Sequence, residues 1–209
     1  MSLRTLFMAA GAISVLATAT AAPRVLAQGL ASADPAAVKA GAYKVESYHT
    51  QVSFTISHFG FTDFFGFFSG ATGALQLDPA EPANSKLQVT IPIESIVTTV
   101  PVLDSQLKGD KWFDAAQFPN ATFTSTQITR TGKTTATIVG DLTLHGVTRP
   151  VTLQARLVGA GVNPLDKAFT AGFEADGVIK RSDFGVTQYL PLVGDEVHLR
   201  IAGAFEQHP

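Results

Sequence analysis

Between residues 51 and 58 the chain reads QVSFTISH, with Val52, Phe54, Ile56 and His58 on one parity and Gln51, Ser53, Thr55 and Ser57 on the other. Period-two alternation puts the two sets on opposite faces of a β-strand. The pattern recurs almost to the C-terminus. Leu75 and Leu77 oppose Gln76 and Asp78, and Leu87, Val89, Ile91 and Ile93 oppose Gln88 and Thr90. Ile138, Leu142 and Leu144 repeat it, as do Val151, Leu153, Ala155 and Leu157 against Thr152, Gln154 and Arg156. Phe169, Ala171 and Phe173 then oppose Thr170 and Glu174, and Val197, Leu199, Ile201 and Phe205 oppose His198, Arg200 and Glu206. About eight one-sided strands, joined mostly by turns too short for a crossover helix, predict an all-β, antiparallel fold.

Such a sheet either stacks as a sandwich or closes as a barrel, and periodicity leaves both open. Gly66, Gly70 and Gly73 interrupt a strand-like stretch. Glycine there marks bulges and sharp bends, which favours closure. From Val102 to Ala116 the residues Leu103, Leu107, Lys108, Lys111 and Phe113 fit helical spacing better than alternation, which predicts one or two short helices flanking or plugging one end of the sheet.

At the N-terminus Arg4 precedes an uncharged apolar run from Leu6 to about Ala19, followed by small residues. That pattern predicts a secretory signal over residues 1–27, cut after Ala21, Ala22 or Ala27. Residues 28–41, rich in Ala, Ser, Pro and Gly, are expected to form a flexible lead-in, and 42–207 a single domain. The rest of the chain has no apolar stretch of about 20 residues, so no transmembrane helix is expected in the mature chain. The expected location is the periplasm or the exterior.

Without cysteine the chain has no disulfides, thiolate metal sites or cysteine nucleophile. A net charge of -2 with 15% charged residues argues against a nucleic-acid partner, which needs a basic patch. The histidines His49, His58, His145, His198 and His208 show no metal-ligating spacing, and no GxSxG elbow is present. Neither a metal, a cofactor nor catalytic residues are expected. GDLTLHGVTRPVTL, residues 140 to 153, lacks a phosphate-loop motif, and its Gly146 and Pro150 read as a hairpin connection between two strands. His58 alone among the histidines falls on an apolar face. It is either a core imidazole bonded to a carbonyl or a polar group orienting a ligand head. Arg181 and Asp183, two apart on an expected strand, are read as a structural ion pair or as part of a pocket mouth.

Several pieces, in order, resemble the YceI-like family of lipocalin-like barrels. They are Tyr43 with HTQVSFTISHFG (49 to 60), the Phe/Gly run to Gly70, LQLDP (75 to 79) and LDSQL (103 to 107). WFDAAQFPNATFTST (112 to 126), GDLTLHGVTRPVTL, RSDFG (181 to 185) and VGDEVHLRI (193 to 201) continue the series. The resemblance covers nearly all of the mature chain. It implies an eight-stranded antiparallel barrel with short helical segments between strands, enclosing an apolar tunnel for a polyisoprenoid or related long-chain lipid, in a periplasmic protein. Gln106 stands where the family commonly has histidine and Trp112 where phenylalanine is usual. The run after Gly60 is also richer in phenylalanine.

The inward faces then supply an expected tunnel wall: Phe54, Ile56, His58, Leu75, Leu77, Val89, Ile91, Leu144, Leu153, Phe169, Phe173 and Leu199. Seven phenylalanines fall between Phe54 and Phe68, more than one strand face can turn inward. Phe61, Phe64 and Phe65 are therefore placed at the tunnel mouth with Arg181 and Asp183. The expected partner is a long-chain lipid, bound or carried without chemistry. An exposed apolar mouth is also compatible with a homodimer. Two alternatives stay open: an enzyme acting on a lipid held in the barrel, and a structural module whose barrel is packed solid.

Overall fold

The computed structural model describes residues 30–207. The expected signal segment, 1–27, and the first residues of the lead-in lie outside them. Ten strands form one antiparallel sheet: β1 (Gly41–Val45), β2 (Gln51–His58), β3 (Thr62–Phe68), β4 (Thr72–Leu77), β5 (Lys86–Pro92), β6 (Asn120–Arg130), β7 (Thr135–Leu144), β8 (Val147–Val162), β9 (Phe169–Lys180) and β10 (Val193–Gln207). Their order is β1-β4-β5-β6-β7-β8-β9-β10-β2-β3, and β10 also pairs with β1, which closes an eight-membered ring. β1 and β2 run end to end along β10, through Val45 opposite Phe205 and then Val52 opposite Ile201. β3 and β4 likewise follow one another beside β2 and β1. Ten segments thus occupy eight positions around the barrel.

Two glycines shape this corner of the barrel. Gly70, with φ 66°, lies in the break between β3 and β4, a backbone conformation that disfavours side chains. Gly66 sits opposite Phe54 on β2, and a Cβ at Gly66 would lie 2.3 Å from the tip of the Phe54 ring. The absent side chain lets that ring lie across β3 inside the barrel. At the β7–β8 turn His145 and Gly146 both have positive φ, the two-residue geometry that suits the twist of a hairpin.

The helical expectation over Val102 to Ala116 holds for its first half. Helix α1 spans Pro101–Lys108, with Pro101 in its first turn and Gly109 as its C-terminal cap. Residues 109–118 continue as hydrogen-bonded turns, with Trp112 N–H donating to the Gly109 carbonyl and Phe118 N–H to Asp114. The lead-in departs from the expectation. Ser32 exchanges two backbone hydrogen bonds with Ala160 on β8, at 2.8 and 2.9 Å, and Pro35–Ala37 forms a 3-10 turn capped by Asp34. A Cβ on Gly161 would lie 1.9 Å from the Leu30 carbonyl oxygen, so β8 is shaped for the segment to lie across it.

Arg181–Phe184 forms a 3-10 turn rather than a strand. The same-face argument for Arg181 and Asp183 therefore fails, because the alternation of β9 ends at Lys180.

Candidate ligand-binding tunnel

Two cavities lie end to end inside the barrel and share Val52 and Ile91 in their walls. The larger, about 490 Å³, occupies the half built from β2, β3 and the first part of β10. The smaller, about 220 Å³, occupies the half built around β4, β5 and the far ends of β6 to β10. The interior is therefore not filled by its own side chains, as the solid-barrel alternative requires. Strand alternation is the reason its surface is apolar: each strand sends one parity inward, and those positions are the apolar ones.

Most of the expected wall residues line these chambers. Phe54, Ile56, Leu144 and Leu199 line the larger chamber, Leu75, Leu77, Val89, Leu153 and Phe173 the smaller, and Ile91 both. His58 also lines the larger chamber, but at an exposed position, with its ring 4.6 Å from that of Phe59. It is thus a rim group rather than a core imidazole.

Phe169 is a correction, for it lines neither chamber. Its ring lies 6.5 Å from that of Tyr43, with the Lys39 ammonium 4.5 Å above it. Tyr43 is itself buried and donates to the Lys39 carbonyl at 2.7 Å. The lead-in and β1 thus convert the inward end of β9 into a plug.

The expected mouth also divides. Phe64 pairs with Ile56 in register and is wall, not mouth. Phe65 is on the opposite parity, 58% exposed and outside the cavity lining, and Phe61 is 86% exposed in the β2–β3 turn. Asp183 is exposed and lines neither chamber.

Arg181 is in the wall but buried, at 4% exposure. It is not held by an ion pair. Nε donates to the Gly194 carbonyl at 2.7 Å, and Nη1 and Nη2 donate to Val186 and Val193 at 2.8 Å each. The guanidinium thus ties the loop before β10 to the end of β9, and the Trp112 ring covers it at 5.6 Å. Burial draws its pKa below the usual arginine value, opposed by the nearby Asp195.

Asp195 accepts from Ser182, from the backbone N–H at 2.9 Å and the hydroxyl at 2.8 Å. Burial alone would raise its pKa. The two Ser182 bonds, with Arg181 and Lys180 nearby, outweigh that and hold the carboxyl below its ordinary value. Asp78 is also lowered, by N–H donors from Glu81 and Ala80 and by the Asn84 amide. Carboxylates shifted down stabilise the fold fully above their unfolded pKa of about 4 and lose that contribution as pH falls through the lower folded values. Thermal melts are therefore expected to hold from neutral pH to about 5 and drop below about 4. Asp195→Asn should give a lower plateau and a shallower acid drop; an equally steep drop would remove Asp195 from this role.

Several wall residues carry no alternation signal. Leu103, Gln106 and Leu107 of α1, with Trp112 and Phe113 after it, cover the larger chamber. Phe123 and Ile128 both face the smaller chamber although they differ in parity, because β6 carries a bulge between Ser125 and Gln127. Among the described residues no cluster of three or more His, Asp or Glu could hold a metal.

Residues 43–205 match the YceI-like domain family. Protein YceI of Salmonella arizonae is 40% identical over 165 residues, which cover 78% of this chain and 85% of that protein. Burkholderia cenocepacia BcnA has the same fold, with TM-score 0.69 and 27% identity over 77% of this chain and 98% of BcnA. Campylobacter jejuni YCEI superposes at TM-score 0.63 with 30% identity, over 74% of this chain and 91% of that one. A Saccharophagus degradans domain shares the fold at TM-score 0.59 and 17% identity, over 79% and 98%. Fold and sequence agree that this chain belongs to the YceI-like family.

Proposed function

We propose that the protein binds one long-chain lipid, a polyisoprenoid or a similar amphiphile, along the barrel axis, and that it sequesters or carries this lipid in the periplasm without chemical change. The observation that carries this reading is the pair of apolar chambers that have Val52 and Ile91 in common in their walls. A long, narrow, apolar interior matches a linear hydrocarbon better than a compact ligand. The Saccharophagus degradans protein of the same fold is a polyisoprenoid-binding domain, which supports the same reading.

Burial alone supplies enough energy. Removing ~700 Å² of prenyl chain from water at about 25 cal/mol per Å² gives an upper figure near ~17 kcal/mol. Lost freedom of association takes back about 4 to 15 kcal/mol. The reading is tested by loading the mature protein with a polyprenol carrying a diazirine near its tail, irradiating, and mapping the labelled peptides. Labels on the lining of the smaller chamber, such as Leu153 or Phe173, are expected. Labels confined to outward residues such as Phe61 and Phe65 would refute an interior site.

A further inference from the structure

Four exposed apolar side chains gather at one end of the barrel. Phe59 and Phe61 lie in the β2–β3 turn, Tyr189 and Leu192 in the loop before β10, and all four are exposed, Phe61 most of all at 86%. The two segments meet, because the Phe59 N–H donates to the Leu192 carbonyl at 2.8 Å. Neither 59–62 nor 185–192 contains a charged residue. Phe59 and Tyr189 also line the larger chamber, so the cluster is continuous with the mouth of the apolar interior. Phe61 and Leu192 line neither chamber and stand outside that mouth.

Local chemistry does not favour aromatic residues at these tips. Phe59 and Tyr189 have φ of 54° and 60°, in the left-handed region that Gly, Asn and Asp enter more readily. The turn from 58 to 61 is closed by the Phe61 N–H on the His58 carbonyl at 3.1 Å. Its two central residues have positive φ, a geometry that favours Asn-Gly, and here they are Phe59 and Gly60. Backbone strain at a bulky exposed side chain points to a role for that side chain.

The opposite end is built differently. Pro35 and Val38 of the lead-in lie in the wall of the smaller chamber with Arg130, Lys133, Arg156 and Glu174. Arg130 donates to the Pro79 and Ala80 carbonyls, Arg156 holds Glu174 at 2.7 Å, and Lys133 lies 3.9 Å from Asp34. Charged groups keep that end hydrated.

We infer that the β2–β3 turn and the 185–192 loop form a docking surface for a lipid bilayer, which sets the mouth of the larger chamber against the membrane. Uncharged, protruding tips enter the headgroup region without desolvating a charge, and a tyrosine with its polar end outward suits that depth. A second copy of the chain on this patch would cover the mouth that a ligand must pass. A bilayer instead places there the phase in which a long-chain lipid is dissolved. Contact made by apolar insertion depends little on lipid charge, in keeping with a chain of net charge -2.

The inference rests on the lipid-binding reading for what passes through the mouth, and flotation of the mature protein with vesicles tests the surface apart from that reading. The vesicles are phosphatidylcholine alone and phosphatidylcholine mixed with phosphatidylglycerol. The protein is expected to float with both, in low and in high salt. The double variant Phe61→Ser, Leu192→Ser should weaken partitioning about ten- to a hundredfold. It should still take up a prenol from solution, since neither side chain lines a chamber. Leu165→Ser removes a 90% exposed side chain from the β8–β9 turn at the opposite end and should leave flotation unchanged. Trp112, the single tryptophan, stands 6.2 Å from Tyr189, and brominated phosphatidylcholine should quench it in the parent and not in the double variant. A parent protein that takes up prenol but never floats would overturn the docking surface and spare the lipid-binding reading. Flotation that requires phosphatidylglycerol and vanishes in high salt would move the contact to the charged end. A dimer that the double variant dissociates, with no flotation of the parent, would assign the patch to a second copy. A parent that floats but takes up no prenol would uphold the surface and sink the lipid-binding reading.

Discussion

Replacing Ile91 with tryptophan is expected to weaken binding of a long prenyl chain by about two to four orders of magnitude while the barrel stays folded. Ile91 and Val52 are the residues common to both chambers, so a bulky side chain there divides the interior. A chain stopped at that point loses burial in the smaller chamber. About 150 to 200 Å² of lost apolar contact is worth about 4 to 5 kcal/mol. Ile91 is only partly buried and pairs with Ala121, which leaves room for the larger ring on the inward side. A ten-carbon ligand confined to the larger chamber should bind the variant and the parent equally. Long chains that bind both equally would show that the smaller chamber is not used.

Arg181→Ala should produce the largest loss of stability of any single wall substitution, about 3 to 5 kcal/mol. The guanidinium is the shared partner of the Val186, Val193 and Gly194 carbonyls, and removing it leaves them facing an apolar chamber. A chain of this size should show a melting temperature lower by about 6 to 20 °C. Arg181→Lys should recover only part of this, because one ammonium cannot match three carbonyls that a planar fork reaches from separate nitrogens. A melting temperature unchanged in Arg181→Ala would mean that the loop before β10 is held by something else. Because Arg181 organises the rim beside Trp112 and Tyr189, the variant should also lose ligand, and comparison with Ile91→Trp separates collapse of the rim from blockage of the tunnel.

The alternation was legible because the barrel's inside and outside differ so sharply in polarity. Wherever a strand is regular, as in β2, β5 and β8 as far as Leu157, parity alone assigns the wall. It fails where regularity ends. The β6 bulge puts Phe123 and Ile128 on one face despite their odd spacing, so no single parity runs through the strand. Arg181 lies one residue beyond the alternation of β9, and its three carbonyl partners, Val186, Val193 and Gly194, are set by the path of the loop before β10 rather than by any periodic pattern. Phe169 has the right parity but meets Tyr43 and Lys39, residues that fold back from more than a hundred positions earlier. The phenylalanine run resolves by the same rule: Phe54, Phe64 and Phe68 line the chamber, Phe65 and Phe67 point outward, and Gly66 makes room for Phe54. The lid over the larger chamber comes from α1, whose short length and mixed composition carry no strong period.

The most direct test of an occupied interior is native mass spectrometry of the mature protein purified without detergent, followed by organic extraction and identification of what is released. One long-chain lipid per chain, absent from Ile91→Trp, is the result expected if both chambers hold a single hydrocarbon. A bare chain whose mass is unchanged after incubation with polyprenols and prenyl quinones would contradict it.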